Sequence, residues 1–211
     1  MIKYIGKYGR GSGGIVDESM CFKKHEPVSI DFRGPLPHWE QLGTLQYVTF
    51  RLKDSIPQCL AKELAEMRRL WLAEHPNPWS EEEFTELTEI FDKKINLIDS
   101  KGLGECVLGI PECRDIFIEK LRRHDGDLYE LFEFVVMPNH VHMIIMPGID
   151  MYTILKTLKQ YSARRINAVL GRKGHLWQDD YFDRLLRSVK DYYKTANYIR
   201  QNPFPVNIDE T

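Results

Sequence analysis

The chain has 211 residues, 43% apolar and 11% aromatic, with a formal net charge of −2. That length and apolar content suffice for a full core, which excludes a disordered chain and favours one domain with elaborations. The sequence has no apolar run of the roughly 18 residues that span a membrane, and MIKYIGKYGRGSGG has no signal-peptide core, so a membrane protein is excluded and a cytoplasmic location expected.

The opening glycines suggest a flexible N-terminal arm, with residues 1–44 as an extension ahead of the main domain over 45–205 and a short tail at 206–211. A strand is expected over LQYVTFRLK (45–53), then a helix from Gln58 to about Glu74 that stops before HPNPW. Ser80 with Glu83 resembles a capping box, and Phe84, Leu87, Phe91, Ile95 and Ile98 space a second amphipathic helix. Together these form a helical insertion over about 58–110, closed by a short strand or extended crossing near 102–108. Pro111 opens a helix to about Arg123. The turn HDGD (124–127) leads into the strand LYELFEFVV, joined to the next strand by the tight link Met137–Asn139. Helices near 151–170, ending at Gly171, and 189–202 close the chain. The expected class is α+β, a central antiparallel sheet with helices packed on it. Cys21, Cys59, Cys106 and Cys113 have no CxxC spacing and are expected to be reduced.

The most informative segment is VVMPNHVHMIIMP (135–147). Side chains alternate along a strand, so His140 and His142 share one face while Val141 points to the other. Two imidazoles on one strand supply half of a metal site, although two histidines at this spacing also occur as packing residues. In SVKDYYKTANYIRQNP (188–203), Ser188 and Asp191 resemble a capping box and Pro203 stops the helix after Asn202. Tyr198 and Asn202, at i and i+4, share a face of it. Tyr161, Tyr181, Tyr192 and Tyr193 also follow the histidines. Tyr161 falls on an apolar helical stripe, and Tyr181 with Phe182 reads as packing or as a stacking surface for unpaired bases. Tyr198 alone has an amide at i+4 directly before a helix-ending proline.

Charge is uneven. Residues 156–200 hold eleven Lys or Arg against four Asp, a local balance of +7 that leaves −9 elsewhere. Such a cluster often forms solvated helix faces; because phosphate attraction depends on a local basic surface, Lys156, Lys159, Arg164, Arg165, Arg184, Arg187 and Lys194 are the residues expected to make contact if a nucleic-acid strand lies against this half of the chain.

These motifs resemble the REP-associated tyrosine transposases, within the single-tyrosine HUH (His-hydrophobic-His) nucleases. MPNHVHMII matches the HUH strand, LKQYSARRIN (158–167) the helix after it, and LWQDDYFDRLLR (176–187) with NYIRQNP (197–203) the C-terminal block; YVTFRLKDSIP (47–57) stands at the family's first strand. The resemblance implies a ferredoxin-like sheet, Tyr198 as nucleophile, and His140, His142 and Asn202 as ligands of Mg²⁺ or Mn²⁺. It also implies single-stranded DNA beside a hairpin, of REP type or similar, as substrate, cleaved through a 5′-phosphotyrosine. The family includes monomers and homodimers, and either state is compatible with this chain. A phenol with an ordinary pKa near 10 needs such help, because it is a poor nucleophile at neutral pH unless the phosphate is activated. The alternative is a domesticated, catalytically silent hairpin-binding protein.

Overall fold

A computed structural model describes residues 7–31, 38–75 and 103–202, with isolated positions at 82, 83, 86, 90 and 94. Two compact units emerge, one built from residues up to Lys53 and from Val107 onward, the other from Asp54–Cys106.

The first unit is an antiparallel sheet in the order β1-β5-β6-β4-β7, with strands β1 (Lys7–Arg10), β4 (Gln46–Arg51), β5 (Tyr129–Val136), β6 (His140–Pro147) and β7 (Phe182–Leu185). A separate two-stranded ribbon pairs β2 (Ser29–Asp31) with β3 (His38–Glu40). The α+β class holds, and β4, β5 and β6 form where period-2 alternation placed them. Helix α2 (Pro111–Arg123) starts with its proline in the first turn, α3 (Met151–Val169) is capped by Asp150, and α4 (Val189–Gln201) by Ser188. Gly171 follows α3 with φ +62°, the left-handed backbone that favours glycine at a helix end.

Alternation divides the core between the two faces of the sheet. On one face Val48, Phe50, Val141, Met143 and Ile145 pack with Phe117 and Leu121 of α2 and with Ile154, Leu155 and Leu158 of α3. On the other, Leu45, Tyr47, Val135 and Ile144 pack with Tyr192, Ala196 and Ile199 of α4. His140 and His142 are in step with Ile144, so both imidazoles face the side that carries α4.

The N-terminal reading needs correction. Residues 7–10 form the edge strand β1, with Lys7 opposite Val136 and Arg10 opposite Glu133. Glycine here permits close approach rather than flexibility: a β-carbon on Gly9 would lie 2.5 Å from the Phe134 ring. Strand β7 was also not foreseen. The expected extended crossing near 102–108 contains a short 3-10 turn at Val107–Gly109.

In the second unit, α1 (Gln58–Glu74) has the expected bounds. Trp71 is buried against Ile56, Leu60, Leu72 and Leu103, and its ring stacks on His75 at 4.1 Å between centroids. The second insertion helix expected over 80–98 lies mainly outside the described residues. No helix among the described residues is long and apolar enough to cross a membrane.

His38 ties the ribbon to β7 and to the residues just before it. It is 2% exposed, with Nδ1 at 2.7 Å from Asp183 Oδ1, Nε2 at 3.1 Å from Asp180 Oδ1, and its ring stacked on Tyr181 at 3.9 Å. Burial by itself would lower the imidazole pKa, but the hydrogen bonds to Asp180 and Asp183 outweigh it and raise the value to about 9. A raised folded-state pKa gives stability that is fully present below the ordinary value of 6.5 and lost as pH rises towards 9. Lys159 acts in the opposite sense from pH 8 upward, because burial lowers its pKa to about 8. Stability should therefore fall by on the order of 2 kcal/mol between pH 6.5 and 8. Urea titrations across that window should show the fall in the native chain and a flat profile in His38→Gln; equal slopes would show that His38 does not carry the effect.

Candidate active site

The antiparallel register sets Thr49 opposite His142 and Arg51 opposite His140. His142 Nδ1 lies 2.7 Å from both Tyr47 Oη and Thr49 Oγ1, and the Tyr47 ring lies nearly parallel to the imidazole. His140 Nδ1 lies 2.7 Å from Asn139 Oδ1. An amide oxygen can only accept, so Nδ1 of His140 carries the proton and Nε2 keeps its lone pair. Burial, with a smaller push from the Arg51 guanidinium, holds the His140 pKa well below the ordinary imidazole value and keeps this ring neutral. Both histidines are almost fully buried, and their rings meet edge to face at 4.6 Å between centroids.

Helix α4 brings the phenol. The Tyr198 ring lies 5.4 Å from that of His142, at 76°, and the residue is 36% exposed, so one side meets the imidazole while another reaches solvent. Asn202 follows one turn later as the helix C-cap, its backbone N–H donating to Tyr198 O at 3.2 Å. Its side-chain Nδ2 is buried without a hydrogen-bond partner. The structure thus gathers His140, His142 and Tyr198, with Asn202 on the next turn of the tyrosine helix. No cluster of three or more His, Cys, Asp or Glu that could hold a metal occurs among the described residues.

The expected DNA-contacting cations divide. Lys156, Arg164, Arg165, Arg187 and Lys194 are exposed. Two others are engaged within the protein. Lys159 Nζ donates to the backbone oxygens of Gln178, Asp179 and Asp180 at 3.0 to 3.1 Å. Arg184 donates to Asp191 Oδ2 at 2.8 Å and to Thr195 Oγ1 at 2.7 Å, bracing α4 against β7. Tyr181 is 7% exposed and packs on His38 rather than offering a stacking surface, while the Tyr161 ring is covered by Lys120 and Arg165.

Asn139, Tyr47 and Thr49 were missed by the sequence reading. Asn139 immediately precedes His140, and the two hydroxyls occupy one face of β4 at period 2, but their roles appear only once the β4–β6 register is known. A cavity of about 710 Å³ lies on the α3 side of the sheet, lined in part by His38, Tyr152, Lys156, Lys159 and Trp177. None of the four candidate site residues lines it.

A His-hydrophobic-His strand facing a tyrosine on a C-terminal helix is the arrangement that the sequence resemblance implies. Residues 110–202 match the family profile described as transposase IS200 like. Among solved structures, it is similar to a REP-associated tyrosine transposase bound to a REP hairpin, with 17% identity, 75% of this chain and 66% of that chain covered, and a TM-score of 0.38. It is also similar to a candidate transposase from Deinococcus radiodurans R1, with 17% identity, 76% and 92% covered, and a TM-score of 0.34. The chain therefore spans about two thirds of the first of these relatives. No curated protein matches it.

Lys159→Met should remove three bonds to the segment 178–180 and destabilise the fold by about 1–3 kcal/mol. Deuterium exchange should rise at 176–182, whereas Arg164→Ala should leave that segment unchanged. Equal protection in all three proteins would overturn the bracing role.

Proposed function

We propose that this protein is a metal-dependent endonuclease and strand-transferase for single-stranded DNA near hairpins, with Tyr198 as nucleophile. The observation that carries this reading is the Tyr198 phenol lying against His142 of the paired imidazoles, one helical turn before Asn202, within the segment that matches the transposase family. The covalent intermediate, the metal and the hairpin substrate are part of the proposal.

The donor set fits Mg²⁺ or Mn²⁺ held by His140, His142 and the Asn202 amide. His140 already has the tautomer of a ligand, with Nδ1 donating and Nε2 a lone-pair donor. For His142, Tyr47 and Thr49 supply hydroxyl oxygens able to accept from Nδ1, which would orient Nε2 for the same role. When bound, the ion would polarise a phosphate oxygen and offset charge developing at phosphorus.

The remaining steps belong to the chain's own side chains. Tyr198 would attack phosphorus as its phenolic proton leaves; the bond from phosphorus to the 3′ oxygen breaks, leaving a 5′-phosphotyrosine and a free 3′-OH. A 3′-OH on another strand can reverse the step, since the phosphodiester is exchanged rather than hydrolysed. Lys156, Arg164, Arg165, Arg187 and Lys194 have exposed side chains that would meet the DNA backbone.

Incubation with end-labelled hairpin DNA and Mn²⁺ should yield an adduct that survives denaturing electrophoresis and disappears in Tyr198→Phe. An undiminished adduct in that variant would remove Tyr198 as nucleophile. Hairpin binding without any adduct would instead support the silent binder. Separately, Tyr47→Phe combined with Thr49→Val should weaken Mn²⁺ binding by roughly 10- to 100-fold through loss of ring orientation. Calorimetric titration showing unchanged affinity would exclude that role.

A further inference from the structure

We propose that Glu133 is a positioning residue for the tyrosine helix, holding its C-terminal end through Arg200 and joining it to strand β1. This rests on the assignment of Tyr198 to the reaction. Glu133 lies on β5 where the pairing with β6 shifts register between Leu131 and Glu133. Such a bulge re-aims side chains. Here Phe132 packs in the α4-side core, and the neighbouring Glu133 also reaches α4 instead of following strict alternation. The result is a carboxylate only 1% exposed, with three donors from two other elements. Arg200 Nη2 donates to Oε1, Arg10 Nε donates to the same oxygen at 3.1 Å, and Tyr8 Oη donates to Oε2.

Arg200 stands midway between Tyr198 and Asn202 in sequence, two residues from each. The apolar contacts of Tyr192, Ala196 and Ile199 hold α4 on the sheet, but apolar burial is non-directional and tolerates small shifts along and about the helix axis. A charge-assisted bond to a guanidinium is short and directional, so it fixes the last turn where packing does not. The buried carboxylate makes the anchor firm, because an incompletely paired buried charge is strongly penalised. Of the two arginines, Arg200 is the more enclosed, with a side chain 29% exposed against 65% for Arg10, and so is less screened by solvent. Strand β1 thereby contributes to a site about 190 residues away in sequence through Tyr8 and Arg10.

The test compares Arg200→Gln, Arg200→Lys, Glu133→Gln and the Glu133→Gln/Arg200→Gln double variant in the full chain. In Arg200→Gln, deuterium exchange at amides 197–202 should rise about tenfold while α3 is unchanged. The rate of adduct formation should fall by roughly 10- to 100-fold, as expected for a reacting group misplaced by about 1 Å, with hairpin affinity retained. Arg200→Lys should restore part of the rate, and the double variant should be no slower than the slower single variant, as for two residues acting through one bond. Unchanged exchange at 197–202 in Arg200→Gln, or losses that multiply in the double variant, would overturn the proposal. Exchange is read without DNA or metal. Absence of an adduct from the unsubstituted chain would therefore count against Tyr198 chemistry, while the exchange data still decide the clamp.

Discussion

The pairing of β4 with β6 is the constraint on which the candidate site depends. Its antiparallel register sets Thr49 against His142 and Arg51 against His140, while Val48, Phe50, Val141, Met143 and Ile145 fill the core on the opposite face. Because alternation has period two, a slip of one residue would move those apolar side chains out of their core and drive two imidazoles into it. Each fully buried aliphatic or aromatic side chain contributes about 1.5–3 kcal/mol, so the apolar face alone enforces the register many times over. The imidazoles thus take their positions from interactions they do not themselves make. Their fine orientation then follows from short polar neighbours, Asn139 in the preceding turn and the two hydroxyls on β4.

What was legible in the sequence follows the same logic. His140 and His142, Tyr198 and Asn202 could be located because each pair lies on one element, where the periods of strand and helix fix relative direction. The ends of α1, α2 and α4 were readable from Pro111, Ser188 and the composition that follows each helix. Strands β1 and β7 were not, being four residues each and defined by distant partners: β1 pairs with β5 well over a hundred residues away, and β7 with β4. Four residues carry almost no periodic signal, and the glycines that suit β1 to the Phe134 ring also suit a linker. Charge was legible as a total but not as a surface. Lys159 and Arg184 have the same side chains as Lys156 and Arg164, and only the fold decides which meet carbonyls and carboxylates and which meet water.

The engaged cations have a shared consequence. His38 and Lys159 reach the segment 178–183 from different elements, one through Asp180 and Asp183, the other through three backbone oxygens. That segment and the residues just before it are also stitched to the end of β4 and the residues just after it, with Gln178 N–H donating to Arg51 O at 3.0 Å and Lys53 N–H to Leu176 O at 2.9 Å. Arg51 sits across from His140. Order in this stretch therefore supports the end of β4 that backs the histidines, although its own contacts lie on the other side of the sheet. Strength is invested where the sheet edge would otherwise fray, because an edge strand as short as β7 offers few ladder bonds of its own.

The chain segments that flank residues 54–106 meet at one turn of the first unit. On the near side, Leu52 N–H donates to Asn139 O at 2.9 Å; on the far side, Leu108 N–H donates to Pro138 O at 3.0 Å. The chain thus leaves and re-enters the first unit at one turn, the turn whose Asn139 side chain sets the tautomer of His140. Closing a longer loop between two fixed ends adds little entropy cost, since that cost grows only with the logarithm of length. Sequence between those ends can expand into a unit with its own Trp71 core without moving the flanking strands. The Leu52 and Leu108 bonds hold both ends of the insertion on one turn, so the intervening sequence can vary while the strand that carries the histidines stays paired.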